Sequence, residues 1–198
     1  MNRSIFSRFI KLIAFATVGI AVCIGTSSAS EFTANIVTKQ GPNKVSGKLY
    51  VKGNKIRQDL AFGTTKRTSI VRGDKGITWT LNHEGKRYTQ WPGLQTGWPD
   101  EQFLKKATAK RDQGKEKISG YMCDKILYEF ENKQSPMIMT LWVSDKLDWP
   151  LKIEIKRNDK TVLLECEKVK EKKLANSLFE LPKGYKKLSP NIKETPKP

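Results

Sequence analysis

Four apolar or alternating runs between Ile118 and Tyr185 constrain the fold more strongly than any other part of the sequence. Each run is short enough to be one strand and is bounded by residues that favour turns. The runs are Ile118–Phe130, Pro136–Val143, Trp149–Lys156 and Thr161–Lys170, and the sequence SLFELPKGY closes the segment. Short strands joined by such turns predict an antiparallel meander.

Alternation within these runs indicates which faces of the strands are buried. Leu151, Ile153 and Ile155 alternate with charged residues, and successive side chains of a strand point to opposite sides. One face of that strand is therefore predicted to be buried and the other solvated. The run Met137–Val143 is apolar on both sides except at Thr140, so it either lies beneath a second layer or lines an apolar cavity.

The N-terminal part of the chain repeats the same pattern. Alternating runs begin at Phe32 and continue to Trp91. Turn signals recur about every 8 to 12 residues, which is the spacing of a sandwich, a barrel or a strongly curved sheet.

One helix is predicted, from Pro99 to Lys110. Proline at its first position, acidic residues in its first turn and lysines late in the helix suit the helix dipole. Phe103, Leu104 and Ala107 form its single apolar stripe, which we expect to pack on the sheet. The residues from Ala109 to Lys117 are predicted to be a charged connector.

The N-terminus has the layout of a secretory signal. Arg3, Arg8 and Lys11 form a basic region, and a short apolar run and a small polar segment follow it. Cleavage is predicted after Ser30, with a cut one residue earlier as the near alternative and an uncleaved signal anchor as the remaining one. We therefore predict three parts, listed here by residue number: a signal peptide (1–30), a single domain (31–187) and a disordered basic tail (188–198) of a periplasmic or secreted protein.

The formal net charge of +17 restricts the choice of partners. A basic surface can attract nucleic acid, anionic lipid or acidic glycan, and export excludes nucleic acid. Alternatively, the lysines only solvate strand faces and protect strand edges. Cys123 and Cys166 form either a disulfide, as an oxidising compartment favours, or two free buried thiols.

The sequence offers little for catalysis. His83 is the single histidine and lies in a predicted turn, which argues against a serine protease triad or a histidine-rich metal site. No nucleotide-binding or zinc motif is present in the sequence. We predict a protein that is not an enzyme and has no cofactor and no metal.

Large apolar side chains are the remaining signal. Flat aromatic rings and flexible methionines suit a cavity for acyl chains, although aromatic residues on strands are more often ordinary core. The candidate cavity residues are Trp79, Tyr88, Trp91, Met137, Met139, Leu141, Trp142 and Ile153. Phe103, Leu104 and Ala107 are the candidate lid over that cavity.

Several segments resemble the periplasmic lipoprotein carrier and receptor superfamily (LolA/LolB-like), and most closely an uncharacterised branch of it. These segments are KLYVKGNKIRQDL, GITWTL, KRYTQW, LWVSDKLDWPLKIEI and LFELPKGYKK, and the resemblance covers Phe32 to Lys187. It implies a mainly β fold, a strongly curved antiparallel sheet that forms an incomplete barrel with a helix over its concave face. It also implies a cavity for acyl chains and identifies Arg57 as the strand arginine that helps to hold the lid.

Two functional hypotheses follow. The first is an exported, monomeric protein that binds a lipid or an acylated ligand in the concavity of a half-barrel, with a possible part in lipoprotein sorting. The second is an envelope interaction module with a filled core, whose basic surface contacts anionic lipid or glycan.

Overall fold

A computed structural model describes residues 30–131 and 134–188. Within these residues, twelve strands are accompanied by one short helix and one 3-10 turn. The strands are β1 (Glu31–Gln40), β2 (Asn43–Lys52), β3 (Lys55–Phe62), β4 (Thr65–Arg72), β5 (Ile77–Asn82), β6 (Arg87–Pro92), β7 (Ala109–Ile118), β8 (Tyr121–Phe130), β9 (Met137–Ser144), β10 (Trp149–Arg157), β11 (Lys160–Glu171) and β12 (Lys186–Lys187). The helix α1 spans Glu101–Leu104, and the 3-10 turn spans Asn176–Phe179.

All twelve strands form one sheet in the order β12-β6-β5-β4-β3-β2-β1-β11-β10-β9-β8-β7. The pairs are antiparallel except for the short parallel pair of β12 with β6. Strand β1 joins the two halves of the chain because it pairs with both β2 and β11. Within the described residues the outermost strands, β12 and β7, do not pair with each other, so the sheet is open. The twelve strands confirm the prediction of a mainly β fold.

The sheet bends between β8 and β11. The Ser119 hydroxyl donates to the Cys166 carbonyl at 2.5 Å, and the Tyr121 hydroxyl donates to Glu171 Oε1 at 2.9 Å. Strands β9 and β10 lie between these partners in the sheet, and three interstrand steps would span about 14 Å if the sheet were flat. The contacts therefore require that this part of the sheet curls.

The hairpins form where the sequence predicts turns. Gly41 and Gly53 both have φ of 55°, a left-handed conformation that glycine adopts without strain. Gly47 lies inside β2, where a Cβ atom would meet the Asp59 carbonyl oxygen at 2.3 Å. Only glycine therefore allows β2 and β3 to approach each other so closely at this point.

Two clusters of buried apolar side chains cover opposite faces of the sheet. Val71 belongs to the first cluster and its neighbour Ile70 to the second, and consecutive residues of a strand face opposite sides. The first cluster includes Phe32, Leu49 and Ile153 and extends across β1, β2 and β8 to β11. The second cluster lies on β4 and β5.

Residues 172–188, which we call the C-terminal strap, cover the second cluster. Leu174 and Phe179 of the strap are buried against Ile70, Trp79 and Leu81. Two basic side chains of the sheet also bind the strap. Lys52 donates to the Leu174 carbonyl at 2.7 Å, and Arg57 donates to the Leu178 carbonyl at 3.2 Å. The strap is therefore part of the folded domain.

Arg72 connects the sheet to the strap through two hydrogen bonds of its guanidinium. Its guanidinium is almost fully buried and donates to both carboxyl oxygens of Asp74, to Glu180 Oε1 at 2.6 Å and to the Phe179 carbonyl. The hydrogen bond from Arg72 lowers the pKa of Asp74 to about 2. The Asp74 carboxylate therefore stabilises the fold above the ordinary pKa of an aspartate, and this contribution is lost as pH falls towards 2.

Two predictions about the middle of the chain need correction. The helix spans only Glu101–Leu104 and not the predicted Pro99 to Lys110, and Asp100 caps it by accepting a hydrogen bond from the Phe103 N–H. The predicted connector is strand β7, which pairs with β8. Strand β7 is an exposed edge strand, so it carries charges rather than the alternation that identifies a half-buried strand.

Both termini of the chain lie outside the described residues. The predicted signal peptide falls there except for Ser30, whose hydroxyl donates to the Leu147 carbonyl. The predicted tail falls there except for Leu188, and the domain boundaries stay predictions. No helix within residues 30–131 and 134–188 has the length and apolar character needed to cross a membrane.

Candidate functional site

An open cleft of about 490 Å³ lies on the face of the sheet that carries the first core cluster. Strands β1, β9, β10 and β11 form its floor, and residues 94–100 with Phe103 form its wall. The floor side chains are Thr38, Met139, Ile153, Ile155, Val162 and Leu164. We call this site the apolar cleft, because all but one of its floor side chains are hydrophobic.

Strand register brings these floor residues together. Ile155 lies opposite Met139 on one side and opposite Val162 on the other, while Leu164 lies opposite both Ile153 and Thr38. Directly opposed side chains of antiparallel strands are in contact range. A continuous hydrophobic surface four strands wide therefore results from alternation and register alone.

The wall belongs to a loop, residues 93–100, that crosses the sheet face and is held by two contacts. Gln58 of β3 donates to the Thr96 carbonyl at 2.8 Å. The ring of Trp98 packs edge-on against Trp149, with the ring centroids 5.2 Å apart. Gly97 has φ of 72°, which lets the chain turn between these two anchors. We call this segment the covering loop.

Two buried donors lie at the contact between Trp98 of the covering loop and Trp149. The indole N–H groups of Trp98 and Trp149 are buried and have no acceptor among the residues that the structure describes. A buried donor without an acceptor costs about 1–3 kcal/mol. These N–H groups are polar features of an otherwise hydrophobic region, and Trp98 lines the apolar cleft.

The short helix and the residues just after it contribute apolar side chains next to the same cleft. Phe103, Leu104 and Ala107 are half-buried and pack against the first core cluster. The Phe103 ring lies 4.9 Å from that of Phe130, measured between centroids. Phe103 also lines the cleft, so the stripe predicted from the sequence borders this site.

The structure separates the candidate cavity residues into groups. Met137, Met139, Leu141 and Ile153 share one face within the first core cluster, and Met139 and Ile153 line the apolar cleft. None of the four aromatic candidates lines that cleft. Trp79 and Tyr88 pack in the second cluster, and Trp91 is 46% exposed. Trp142 belongs to the first cluster, but its side chain faces away from Leu141.

Trp142 is buried beneath charged side chains. Lys152 Nζ lies 4.4 Å and Lys125 Nζ 5.2 Å from its ring centroid, and its indole N–H donates to Glu116 Oε2 at 2.7 Å. That hydrogen bond lowers the pKa of Glu116. The two lysine ammonium groups lie over the ring in cation–π contact, and this arrangement lets a tryptophan be buried on a charged sheet face.

Arg57 contacts the C-terminal strap rather than the helix. It follows Ile56 of the first core cluster and therefore points to the opposite face from Phe103. Its Nε donates to Asp59 at 3.0 Å, and Nη1 donates to the Leu178 carbonyl. The lid role that the family resemblance implies for Arg57 has no corresponding contact among the described residues.

Cys123 and Cys166 are free buried thiols, so the disulfide alternative is not found. They lie on β8 and β11, which are not neighbours in the sheet, and the Cys123 thiol donates to the Tyr121 carbonyl at 3.6 Å. Burial raises the pKa of Cys166 to about 12 and also raises that of Cys123.

A chain of hydrogen-bonded polar side chains links His83 to the strap. The sequence did not predict this connection. His83 contacts the Thr68 hydroxyl at 2.8 Å through Nε2 and the Tyr185 hydroxyl at 2.6 Å through Nδ1, and Thr68 donates to Asp59. Because Thr68 is buried and already donates to a carboxylate, this chain anchors the strap and does not present a nucleophile. No group of three or more potential metal ligands occurs among the described residues.

These features define an open β-sheet domain with a partly covered hydrophobic cleft on one face. Residues 32–149 match the family described as "Domain of unknown function (DUF4412)", and the chain belongs to that family. The sequence matches no curated protein.

Solved structures share this architecture. An uncharacterized conserved protein from Thermus thermophilus superposes with a TM-score of 0.59 at 12% identity, over 82% of this chain and 91% of its own. MucB from the Pseudomonas aeruginosa MucA/MucB complex gives 0.55 at 13% identity, over 78% of this chain. The match spans 56% of the MucB chain, so this chain corresponds to little more than half of it. Membership of the LolA/LolB-like superfamily, and of a particular branch of it, stays a prediction.

Proposed function

We propose that this protein is an exported, non-enzymatic binding protein that holds a lipid or an acylated ligand in the apolar cleft. The observation that carries the proposal is the floor of the cleft. Six side chains from four adjacent strands, five of them hydrophobic, form this floor. Met139 and Ile153 are buried, whereas Thr38, Ile155, Val162 and Leu164 are only half-buried. A hydrophobic surface that the fold leaves partly uncovered at the base of a concavity favours an apolar ligand.

The dimensions and composition of the cleft suit such a ligand. Its volume of about 490 Å³ falls within the range of about 300–1,000 Å³ that is usual for small-molecule sites. Met139 gives the floor a flexible and polarizable side chain that adapts to chains of different shape. The LolA/LolB-like resemblance, which implies a cavity for acyl chains, supports the same class of ligand.

Filling the cleft should weaken ligand binding without unfolding the protein. Thr38 is half-buried in the cleft floor, and Thr38→Trp places an indole there without removing a core side chain. We expect this variant to bind a fluorescent fatty acid at least about tenfold more weakly, or about 1.4 kcal/mol. Fluorescence titration of purified protein measures the effect.

Lys39→Trp is the matched control. Lys39 is the next residue of β1, is exposed and points to the opposite face. The Lys39→Trp variant should therefore bind the fluorescent fatty acid with the affinity of the wild type. If both variants bind normally, or if native mass spectrometry and titration show that the wild type takes up no lipid at all, the proposal is wrong.

A lid function for the helix can be tested separately. Phe103 and Leu104 are half-buried, and Phe103 borders the cleft, so we propose that they cover a bound ligand. Phe103→Ala combined with Leu104→Ala should weaken fatty-acid binding at least about tenfold while the melting temperature of the free protein changes little. A large drop in melting temperature with unchanged binding would show instead that the helix only completes the core.

A second candidate function is docking of an envelope partner. Phe62, Trp91 and Leu94 are 44%, 46% and 50% exposed. Phe62 and Trp91 line another cleft on the same face, next to Arg67. MucB, which shares the fold, was solved in complex with MucA. A clean ligand-free mass and no probe uptake would favour this alternative over the carrier.

A further inference from the structure

The apolar cleft continues into a second cleft that ends at basic side chains. The second cleft has a volume of about 600 Å³ and shares Ile155 and Val162 with the apolar cleft. Beyond these residues it is lined by Met137 and then by the turn between β10 and β11, with Arg157 and Lys160 on either side of that turn. The two clefts therefore form one groove, hydrophobic along its length and cationic at one end.

Arg157 and Lys160 lie directly opposite each other at the end of the β10–β11 hairpin. Both are exposed, and like charges in directly opposed positions destabilise a strand pair. Among the residues that the structure describes, neither forms a salt bridge, although Asp159 of the same turn also lines the cleft. The Arg157 guanidinium donates to the Met137 sulfur at 3.5 Å, a weak acceptor.

Lys156, the basic residue of β10 adjacent to Arg157, differs both in the face that it occupies and in its pairing. Lys156 faces the opposite side of the sheet and pairs with Glu154 at 2.9 Å. Arg157 and Lys160, which form no salt bridge among the described residues, therefore lie on the face that carries the groove.

We propose that the ligand is a single-chain amphiphile with an anionic head group, and that Arg157 and Lys160 bind the head while the apolar cleft holds the chain. This assignment rests on the proposed function. A guanidinium binds a carboxylate or a phosphate through two parallel hydrogen bonds, and a neighbouring ammonium adds a further charge. An anion between the two cations also removes their mutual repulsion.

The spacing along β10 fits this arrangement. Ile153 lies in the apolar cleft and Arg157 at the basic end, four residues further on. Four residues of a strand span about 13 Å. Ile155 lies between them on the same face, so a chain that extends from the head group meets hydrophobic side chains throughout.

The test compares a fluorescent polyene fatty acid with its methyl ester, which has the same chain and no charge. The wild type should bind the acid at least about tenfold more tightly than the ester. Arg157→Gln combined with Lys160→Gln should remove that preference and leave the affinity for the ester unchanged. Lys156→Gln is the matched control, because it removes a neighbouring charge on the other face.

Each outcome decides between the claims. Equal affinities of the wild type for acid and ester would overturn the head-group site and leave the proposed function intact. No binding of either probe would overturn both. A loss of preference in Lys156→Gln as large as in the double variant would show that general surface charge, and not this pair, selects the acid. A competition titration tests whether head and chain are recognised together. Lysophosphatidic acid should displace the bound fatty acid, whereas inorganic phosphate and acetate should not. Displacement by these free anions would overturn the linkage between head group and chain.

Discussion

Replacing Phe179 by alanine should lower the free energy of unfolding by about 3–5 kcal/mol, the usual cost of removing a buried phenylalanine ring. Phe179 is fully buried in the second core cluster, against Ile70, Trp79 and Leu81. Its ring is the largest fully buried side chain that the strap contributes to this cluster. The truncation therefore leaves a cavity and also loosens the strap.

Urea denaturation followed by tryptophan fluorescence measures this loss. Ser177→Ala is the matched control, since Ser177 belongs to the same 3-10 turn and is exposed. Exposed substitutions usually change stability by less than about 0.5 kcal/mol. If Phe179→Ala were as mild as the control, the strap would not fold cooperatively with the sheet.

The same variant should separate stability from binding. The strap covers the face opposite the apolar cleft, and no strap residue lines that cleft among the residues that the structure describes. Under conditions where Phe179→Ala is still folded, its affinity for a fatty acid should therefore equal that of the wild type.

Local features of the fold could be predicted from the sequence because they depend on neighbouring residues. Alternation in Leu151, Ile153 and Ile155 indicated the buried face of β10 correctly. The Gly53–Asn54 pair, a strong two-residue hairpin signal, joins β2 to β3. Such signals identify strands and turns one at a time.

The sheet order could not be predicted in the same way. Strand β1 pairs with β11, more than one hundred residues later, and that pairing joins the two halves of the sheet. It depends on tertiary packing and leaves no local pattern. The helix was overextended for a related reason: the dipole-compatible charges continue to Lys110, but strand pairing with β8 takes over from Ala109.

The site was predicted in part, and the difference concerns faces. The apolar run from Met137 to Val143 pointed to a strand that contributes to the floor of the cleft. Alternation already places Trp142 and Leu141 on opposite faces of one strand. Which of the two faces carries the cleft is known only once the register with the neighbouring strands is known, and aromatic content does not reveal it. The covering loop, with its buried Trp98, had no signal beyond its two glycines, its proline and that tryptophan.

The two buried cysteines should be almost inert in the folded protein. Burial raises the pKa of Cys166 from 9.0 to about 12. Such a rise means about a thousandfold less thiolate at any pH below both values, and the thiolate is the reactive form. At pH 8 we therefore expect native Cys166 to resist a thiol reagent that modifies it readily in denaturant. Cys123→Ala isolates this thiol for the measurement.

The same shift predicts how stability depends on pH. The folded state holds the Cys166 proton more tightly than the unfolded state does. The contribution of the protonated thiol to the free energy of unfolding is therefore complete below pH 9 and is lost as pH rises towards 12. The stability of the Cys166→Ala variant should lack this part of the decline at alkaline pH.

Labelling of both Cys123 and Cys166 after denaturation without reductant is the expected result for free thiols. If neither is labelled until a reductant is added, the cysteines are bridged in the isolated protein, and the strands that carry them must approach more closely than the structure shows.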